Sequence, residues 1–478
     1  MQHKIIRTHL VGLCLSLVFI AVCETAARSQ NDADLAATID KYLSIRADMG
    51  GFSGAVLVMR NGQVVIRKGY GYADVEKRIP YTPETRHEVA SISKMFTSAA
   101  VIKLRDMGKL SLDDHICKFV DNCPETWRAI LIRQLMDHTS GIPDYESPLE
   151  LGSAKYLDFM QKPEASKKII DDARSLPLDF APGTDWNYSN SGYILLSQIV
   201  ERVAKEPFAR FVEKQLLKPA GMTRSGVIDS MHLPADLASP YTYGDLGWEK
   251  TLAGVPLTDG HLKHLPQLSL TSPEGDAFLY STVDDLYKWT QVMITGKPAI
   301  LTASDIKEIL TPNSSGYGFG WFVGKGFDRT RYRHTGGLPG YISDLVVFPD
   351  DKITIVLFSN LDRARLSNTM RDVSAMMLGT PYDMPVRGKV VTLSDEQYQR
   401  LLGVYKIADG RTLTVSKEAG DLLTAKLEKQ YTAGLIPLSD HEFYFPLADG
   451  KAIFTLGEDG KAVSVNMRYS GEDHIAKR

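Results

Sequence analysis

The segment SISKMFTSAAVIKLRDM, residues 91–107, decides the fold. It is apolar on most of its faces and is followed by Gly108, so it predicts a helix that lies in the centre of the molecule. Ser91 and Lys94 at its start are three positions apart and therefore lie on one helical face, one turn apart. The lysine ammonium group can then reach the serine hydroxyl group.

A serine and a lysine in this arrangement suit nucleophilic catalysis without histidine. Burial lowers the pKa of a lysine, so Lys94 can accept the Ser91 proton. The N-terminus of a helix also favours negative charge near Ser91. The spacing alone is weak evidence, because Ser304 and Lys307 repeat it in a polar segment where Ser304 is expected to cap a helix. The apolar surroundings of the first pair distinguish the two.

The tripeptide Tyr188-Ser189-Asn190 is a second candidate. It follows the turn residues at 182–184 and precedes a predicted helix, so it belongs to a loop. The Tyr188 phenol can move protons if a cation lowers its pKa, and Lys94 would be that cation. The Asn190 amide can bind a substrate carbonyl. A tyrosine that only packs a loop is the structural alternative.

The sequence His334-Thr335-Gly336-Gly337 is a third candidate, at the end of a predicted strand. Small residues there let a substrate backbone approach, and the Gly337 N–H can pair with the Ser91 N–H as an oxyanion hole. An edge strand that ends in glycines is the alternative. The three candidates together, in this order along one chain, favour catalysis more than any of them does singly.

Strand patterns lie on both sides of the central helix along the chain. Residues 54–59 and 63–68 flank Asn61-Gly62, the strongest short signal for a β-hairpin. Strands are also predicted at 318–323, 331–335, 342–348 and 353–358, with helices at 33–49 and 366–378, whereas residues 109–290 carry mainly helical patterns. These patterns predict an α/β (α+β) fold: an antiparallel sheet flanked by helices, with an all-helical lobe beside it.

The two ends of the chain differ from the middle. Residues 1–27 predict a cleaved signal peptide, with a basic start, an apolar stretch at 10–22 and small residues before position 28. An uncleaved anchor and lipidation at Cys23 are weaker alternatives. Residues 28–385 form the predicted main domain. Residues 390–478 show short strands with glycine turns, which predict a small all-β barrel. This accessory domain could border the site or a partner surface, and a module for stability only is the alternative.

Export would leave Cys117 and Cys123 as the two cysteines of the mature chain. In an oxidising compartment, two thiols six positions apart predict a disulfide. Two buried free thiols are the alternative. A structural metal is the weakest interpretation, because no partner ligands accompany the pair.

Composition and missing motifs exclude several classes of protein. The 478 residues are 44% hydrophobic and 24% charged, which is ordinary for globular proteins, and the net charge of -3 gives no basic surface for nucleic acid. No G-x-S-x-G motif occurs, so an α/β-hydrolase is disfavoured. His87-Glu88 lacks a second histidine at position 91, which argues against a zinc peptidase. No metal or cofactor is expected.

The set Ser91-x-x-Lys94, Tyr188-x-Asn190 and His334-x-Gly336 resembles the penicillin-recognising serine hydrolases. These include class C β-lactamases, D-Ala-D-Ala carboxypeptidases, D-aminopeptidases and related esterases. Residues 69–74, 135–142 and 281–286 also look like this family, and the likeness covers residues 34–380. The C-terminal tail is similar to the lipocalin-like barrel of some members.

The resemblance implies two-step acyl transfer through a Ser91 acyl-enzyme, without metal. Lys94 would accept the Ser91 proton, and Tyr188 would protonate the leaving group and later activate water. Asn190 would orient the acyl chain. The residues that would line the strand side of the pocket are His334, Thr335, Gly336 and Gly337.

His334 departs from the β-lactamases and most carboxypeptidases, which have lysine at this position. An imidazole is mostly neutral at pH 7, so recognition of a substrate carboxylate should weaken. The resemblance and this departure from it together imply an exported, secreted or periplasmic serine hydrolase acting on amide bonds in small molecules or peptides, with D-residues or peptidoglycan stems as the expected substrates. A carboxylesterase, a class C-like β-lactamase and a non-catalytic penicillin-binding or scaffolding protein remain as alternatives.

Overall fold

The computed structural model describes residues 32–147, 158, 165–229, 232–243, 262–266, 275–362, 364–385, 391–418, 422–428, 432–445, 450–469 and 471–478. The predicted signal peptide and part of the segment between the two predicted domains lie outside these residues. Within them, no helix is both long enough and apolar enough to cross a membrane.

A six-stranded antiparallel sheet organises the larger part of the chain. Its strand order is β10-β11-β12-β13-β1-β2, so the N-terminal hairpin pairs with strands that lie more than 200 residues later. The strands are β1 (Gly54–Arg60), β2 (Gln63–Tyr70), β10 (Phe322–Gly326), β11 (Arg329–Leu338), β12 (Tyr341–Phe348) and β13 (Ile353–Ser359). The predicted sheet built from both ends of this region is confirmed.

Smaller β elements lie around this sheet. A three-stranded sheet has the order β5-β9-β6, and β3-β4 and β7-β8 form two further pairs. Their bounds are β3 (Tyr72–Asp74), β4 (Ile79–Pro80), β5 (His87–Glu88), β6 (Gly226–Val227), β7 (Tyr241–Tyr243), β8 (Leu262–His264) and β9 (Leu279–Ser281). Strand β5 ends three residues before Ser91, so it helps to position the turn that contains this serine.

Helices cover both faces of the six-stranded sheet, and the short helix at Asp395–Gln399 packs with the C-terminal strands instead. Their bounds are α1 (32–48), α2 (Lys94–Asp106), α3 (Ile132–Met136), α4 (Ala165–Ser175), α5 (Asn190–Ala204), α6 (Phe208–Val212), α7 (Lys218–Ala220), α8 (Val283–Thr295), α9 (Ala303–Ile309), α10 (Leu366–Leu378) and α11 (Asp395–Gln399). Short 3₁₀ turns lie at Ala90–Ser93, Ile116–Lys118 and Glu125–Trp127, and a π turn lies at Glu213–Leu217.

Two hydrophobic cores hold these layers together. Helices α1 and α10 pack on one face of the sheet, where Tyr42, Leu43 and Val373 are buried. Helix α2 and the helical lobe pack on the other face, and the Phe96 ring of α2 stacks on Trp289 of α8 at 4.3 Å. Helix α2 is therefore the central, buried helix that its apolar sequence predicts.

The predicted hairpin and the predicted helix at 366–378 are confirmed. The predicted start of β10 and the predicted cap of α9 are wrong. Asn61 and Gly62 have φ values of 53° and 77°, as a tight hairpin turn requires. The strand predicted from residue 318 starts at Phe322, because Gly320, at φ 78°, belongs to a preceding turn. The cap of α9 is Thr302, whose side chain accepts the Asp305 N–H, and Ser304 lies one residue inside the helix.

Eight antiparallel strands between residues 403 and 477 form a closed barrel. The strands are β14 (Gly403–Ile407), β15 (Thr412–Glu418), β16 (Leu422–Leu427), β17 (Thr432–Pro437), β18 (Glu442–Phe445), β19 (Gly450–Leu456), β20 (Ala462–Tyr469) and β21 (Glu472–Lys477). Tyr405, Phe443 and Phe454 fill its interior. Arg468 and the Gly471 N–H both contact Asp383, which attaches the barrel to the segment after α10.

Cys117 and Cys123 are joined by a disulfide in the structure, with their Cα atoms 5.3 Å apart. The bond closes a short loop that begins within the 3₁₀ turn at Ile116–Lys118. Both residues pack at the edge of the core that contains α2.

Candidate active site

Ser91 lies in the 3₁₀ turn between β5 and α2, and its side chain is half-buried. Ala90 before it has φ 49°, a left-handed conformation that alanine adopts only under constraint. The constraint comes from Val89, whose carbonyl accepts the Ser343 hydroxyl at 2.7 Å and whose N–H donates to Leu279 at 2.9 Å. The strained turn thus holds the Ser91 hydroxyl at the N-terminal end of a buried helix.

Lys94 is fully buried, and its ammonium group donates three hydrogen bonds. The acceptors are Ser91 Oγ at 3.0 Å, Asn190 Oδ1 at 2.7 Å and the carbonyl of Asp276 at 3.1 Å. The contact between serine and lysine that the spacing predicts is therefore present. Burial lowers the pKa of Lys94 from its ordinary value, while the negative charge of Asp276 is the largest opposing effect.

Tyr188 completes the group around Ser91. Its ring centroid is 5.0 Å from Lys94 Nζ and 4.3 Å from the ring of His138. Burial raises the pKa of the Tyr188 phenol well above its usual range, and its hydrogen bond with Ser91 only partly offsets this. The expectation that Lys94 lowers this pKa is wrong, because desolvation dominates. Tyr188 is accordingly a protonated phenol that can donate a proton.

Asn190 is the first residue of α5, and both ends of its amide are engaged. Its Oδ1 accepts from Lys94, and its Nδ2 donates to Asp144 Oδ2 at 3.2 Å. Ser189 caps the helix by accepting the Gly192 N–H, which sets where the helix begins and hence where Asn190 points. Asn190 therefore links the lysine to an acidic residue on the neighbouring loop.

Strand β11 passes beside the serine turn. A Cβ at Gly336 would lie 2.1 Å from the Val89 carbonyl oxygen, so only glycine permits this approach. Gly337 is exposed, and a Cβ there would meet nothing within 4 Å. Thr335 is half-buried. The strand edge next to Ser91 is therefore open at Gly337 and tightly packed at Gly336.

His334 lies behind this edge, with only 1% of its surface exposed. Its Nδ1 is 2.7 Å from the Thr335 carbonyl oxygen, and its Nε2 is 2.9 Å from the Tyr317 hydroxyl. Burial, with a contribution from the Lys94 charge, lowers the pKa of His334 to about 3. The imidazole is therefore neutral, and both of its nitrogens are occupied by protein atoms.

Sequence reasoning did not single out several residues that surround this group. Tyr317 comes from the turn before β10, and His138 packs between the rings of Tyr188, Tyr193 and Tyr317. His138 belongs to the stretch 135–142 that carried the family likeness, which was the one signal for it. Tyr317 stands in a glycine-rich turn and gave no such signal.

Three acidic residues near Lys94 were also missed: Asp144, Glu146 and Asp276. Each interacts electrostatically with the lysine. Asp144 and Glu146 are half-buried in the loop before residue 148, and Asp276 is buried. Burial raises the pKa of Asp144 to about 6. No short motif marks these residues, because the folded chain brings them from two separate loops.

The arrangement provides what acyl transfer requires: a hydroxyl, a buried amine in contact with it, a phenol and an open strand edge with backbone N–H groups. Among the described residues, no three His, Cys, Asp or Glu side chains are grouped so that they could hold a metal ion.

Comparison with known proteins agrees with this geometry. A family model described as Beta-lactamase matches residues 18–375. Penicillin-binding protein 4* of Bacillus subtilis (strain 168) is 27% identical over 442 residues, which cover 89% of this chain and 95% of that protein.

Two solved structures show the same fold. The octameric penicillin-binding protein homologue from Pyrococcus abyssi has a TM-score of 0.63 at 24% identity, covering 93% of this chain and 99% of that one. The D-amino acid amidase from Ochrobactrum anthropi SV3 has a TM-score of 0.61 at 20% identity, covering 72% of this chain and 99% of that one. Since the family model spans well over half of the residues, the chain belongs to the beta-lactamase family of serine hydrolases.

Proposed function

We propose that the protein is an exported amidase or peptidase that works through an acyl-enzyme on Ser91. The observation that carries this proposal is the 3.0 Å hydrogen bond between Lys94 Nζ and Ser91 Oγ, in a position where the lysine is buried and the serine is partly exposed. A buried lysine loses its proton more readily than an exposed one, and can then take the proton of Ser91.

In the first half of the reaction, Ser91 Oγ forms a bond to the substrate carbonyl carbon as its proton passes to neutral Lys94. The negative oxygen that develops is stabilised by the N–H groups of Ser91 and Gly337. Tyr188 then gives its proton to the leaving nitrogen and is reprotonated by Lys94, so the C–N bond breaks with proton balance maintained.

In the second half, water attacks the acyl-enzyme. The proton of the water returns to Ser91 through Tyr188 and Lys94, and the acid product leaves. Asn190 keeps Lys94 in place during both halves, since it accepts one of the three lysine hydrogen bonds.

The charges around the site favour a substrate with a free amine over one with a free carboxylate. Asp144 and Glu146, both half-buried, lie on the loop side near Lys94. On the strand side, His334 is neutral and its nitrogens are occupied, so it supplies no cation for a carboxylate. An amino-terminal D-residue amide or peptide meets these charges better than a penicillin or a C-terminal dipeptide does.

Export is supported by two features. The N-terminal sequence has the pattern of a signal peptide. Cys117 and Cys123 are bonded, and such bonds persist mainly outside the reducing cytosol.

The test is a substrate panel for the purified mature protein: D- and L-amino-acid amides, muropeptides, nitrophenyl esters and a chromogenic cephalosporin. We expect D-amino-acid amides to be cleaved with the highest kcat/KM and the Ser91→Ala variant to cleave none. Turnover of esters alone would identify a carboxylesterase, and rapid cephalosporin turnover would identify a β-lactamase. Either outcome would overturn the proposed substrate class.

A further inference from the structure

The hydrogen bonds of Lys94 bear on whether its amine can accept a proton. All three N–H groups of an ammonium are used, by Ser91, Asn190 and the carbonyl of Asp276. A lysine that donates in three directions has no lone pair free for the Ser91 proton. Lys94 can therefore act as a base only after it loses a proton, and any group that stabilises its positive charge opposes this loss.

The Asp276 carboxyl group is the strongest candidate for a group that stabilises this positive charge. Asp276 is 2% exposed, and its backbone carbonyl already contacts the lysine. Its Oδ2 accepts the Tyr145 hydroxyl at 3.3 Å. Its Oδ1 is buried and, within the described residues, has no hydrogen-bond partner. Burial raises the pKa of Asp276, and the positive charge of Lys94 is the largest effect that opposes this rise. The carboxylate therefore interacts with the nearby ammonium group through charge, without a hydrogen bond between them.

The position of Asp276 is fixed by the residue before it. The Gly275 carbonyl accepts the Thr97 hydroxyl of α2 at 2.5 Å, and a Cβ at Gly275 would lie 2.2 Å from the Tyr193 carbonyl oxygen of α5. The segment is thus attached to both helices that supply the site, which keeps Asp276 beside Lys94.

We propose that the buried Asp276 carboxylate is a positioning residue that sets the pH range in which Lys94 can accept the Ser91 proton. This inference rests on the proposed role of Lys94 as a base. An ionised carboxylate stabilises the protonated lysine, and burial opposes it. Asp276 has the largest charge effect of the three acidic residues on Lys94, ahead of Glu146 and Asp144.

Other titratable groups also face Lys94, from every element that packs against it: Asp144, Glu146, Tyr188, Tyr193, His138 and His334. Burial lowers the pKa of both histidines, so they are neutral, and burial raises the pKa of both tyrosines, so they stay protonated. The two remaining carboxyl groups are half-buried, where solvent screens them more than it screens Asp276.

The experiment measures how fast Ser91 reacts with a fluorophosphonate as a function of pH. This reaction forms a bond between Ser91 Oγ and phosphorus, releases fluoride and passes the serine proton to Lys94, so it needs no knowledge of the natural substrate. We expect the rate to rise with pH as Lys94 loses its proton. In Asp276→Asn the rise should occur about one to three pH units lower, because the carboxylate no longer stabilises the ammonium form.

Two further variants make the result specific. Asp144→Asn should shift the rise by less, because its carboxyl group is half-buried. Tyr145→Phe should shift it slightly in the same direction as Asp276→Asn, because loss of the hydroxyl destabilises the ionised carboxylate. It also gives a readout if Asp276→Asn does not fold.

Three results would overturn the inference. The first is an equal loss of rate at every pH in Asp276→Asn, which would indicate a structural role only. The second is a rise that stays at the same pH in both Asp276→Asn and Tyr145→Phe. The third is an unaltered protein that is not labelled at all, which would also remove the proposed function.

Discussion

Ser91 and Lys94 have the same spacing as Ser304 and Lys307, but the two pairs have different surroundings. The first pair opens a buried helix: its lysine is fully enclosed, and its serine sits in a strained turn held by neighbouring strands. The second pair lies within α9, a short helix in which both side chains are exposed. There the ammonium group lies in water.

The difference shows that the spacing only brings the two groups within reach. Lys94 has a lowered pKa because burial costs the charged form, and Asn190 and Asp276 keep its amine directed at the hydroxyl. In α9 the serine and the lysine are both exposed, so burial does not act on this pair. Matched substitutions at the two pairs should therefore have very different effects.

The largest effect is expected from removing the serine hydroxyl. Ser91→Ala should lower kcat/KM by about 10⁶-fold on any substrate, because the acyl-enzyme cannot form. Ser304→Ala should leave kcat/KM unchanged. Circular dichroism of both variants serves as the folding control, and equal activity in the two would remove the mechanism.

The two lysines allow a second matched pair of substitutions. Lys94→Met should lower kcat/KM by about 10²- to 10⁴-fold, the usual contribution of a general base. Lys307→Met should have no measurable effect, since its side chain lies in solvent. Steady-state kinetics at saturating and low substrate separate a loss of kcat from a loss of binding. A Lys307→Met variant as impaired as Lys94→Met would contradict the account.

Substitution of Gly336 and Gly337 in β11 tests whether close packing of this strand holds the strained turn at Ala90. Gly336→Ala should push the new Cβ into the Val89 carbonyl, cost about 1–3 kcal/mol in the free energy of unfolding and displace Ser91. Fluorophosphonate labelling should then slow by about 10²-fold. Gly337→Ala meets open space and should leave the stability as it is. Urea unfolding of both variants measures the difference, and similar destabilisation would count against the packing argument.

The smallest effect is expected in α9, the helix that contains Ser304 and Lys307. Thr302 caps α9, so Thr302→Ala should lower the free energy of unfolding by about 1 kcal/mol. Activity should not change, because the helix plays no part in the chemistry. Urea unfolding together with a single activity measurement checks both statements; a loss of activity larger than the loss of folded protein would link α9 to the site.

Local patterns predicted the elements whose signals are contained in the sequence itself. The Asn61-Gly62 turn, the helix at Leu366–Leu378 and the contact of Ser91 with Lys94 depend on residues a few positions apart. The start of β10 and the cap of α9 were misplaced by a few residues, because turn glycines and adjacent Thr and Ser caps look alike in sequence.

The parts of the site that sequence did not predict depend on distant residues. Asp276 lies 182 positions from Lys94, and Tyr317 lies 17 positions from His334 across a turn. The raised pKa of Tyr188 has the same origin, because it arises from the burial of the ring. Such features follow from packing, and no spacing in one chain reports them.

The most direct test of the account is to identify the residue that a fluorophosphonate modifies. Intact-mass and peptide mass spectrometry of the labelled protein should show one adduct, on the peptide that contains Ser91. The adduct should be absent from the Lys94→Met variant after the same exposure. An adduct on Ser304, or labelling of Ser91 that is equally fast without Lys94, would contradict the claim that the buried lysine activates this serine.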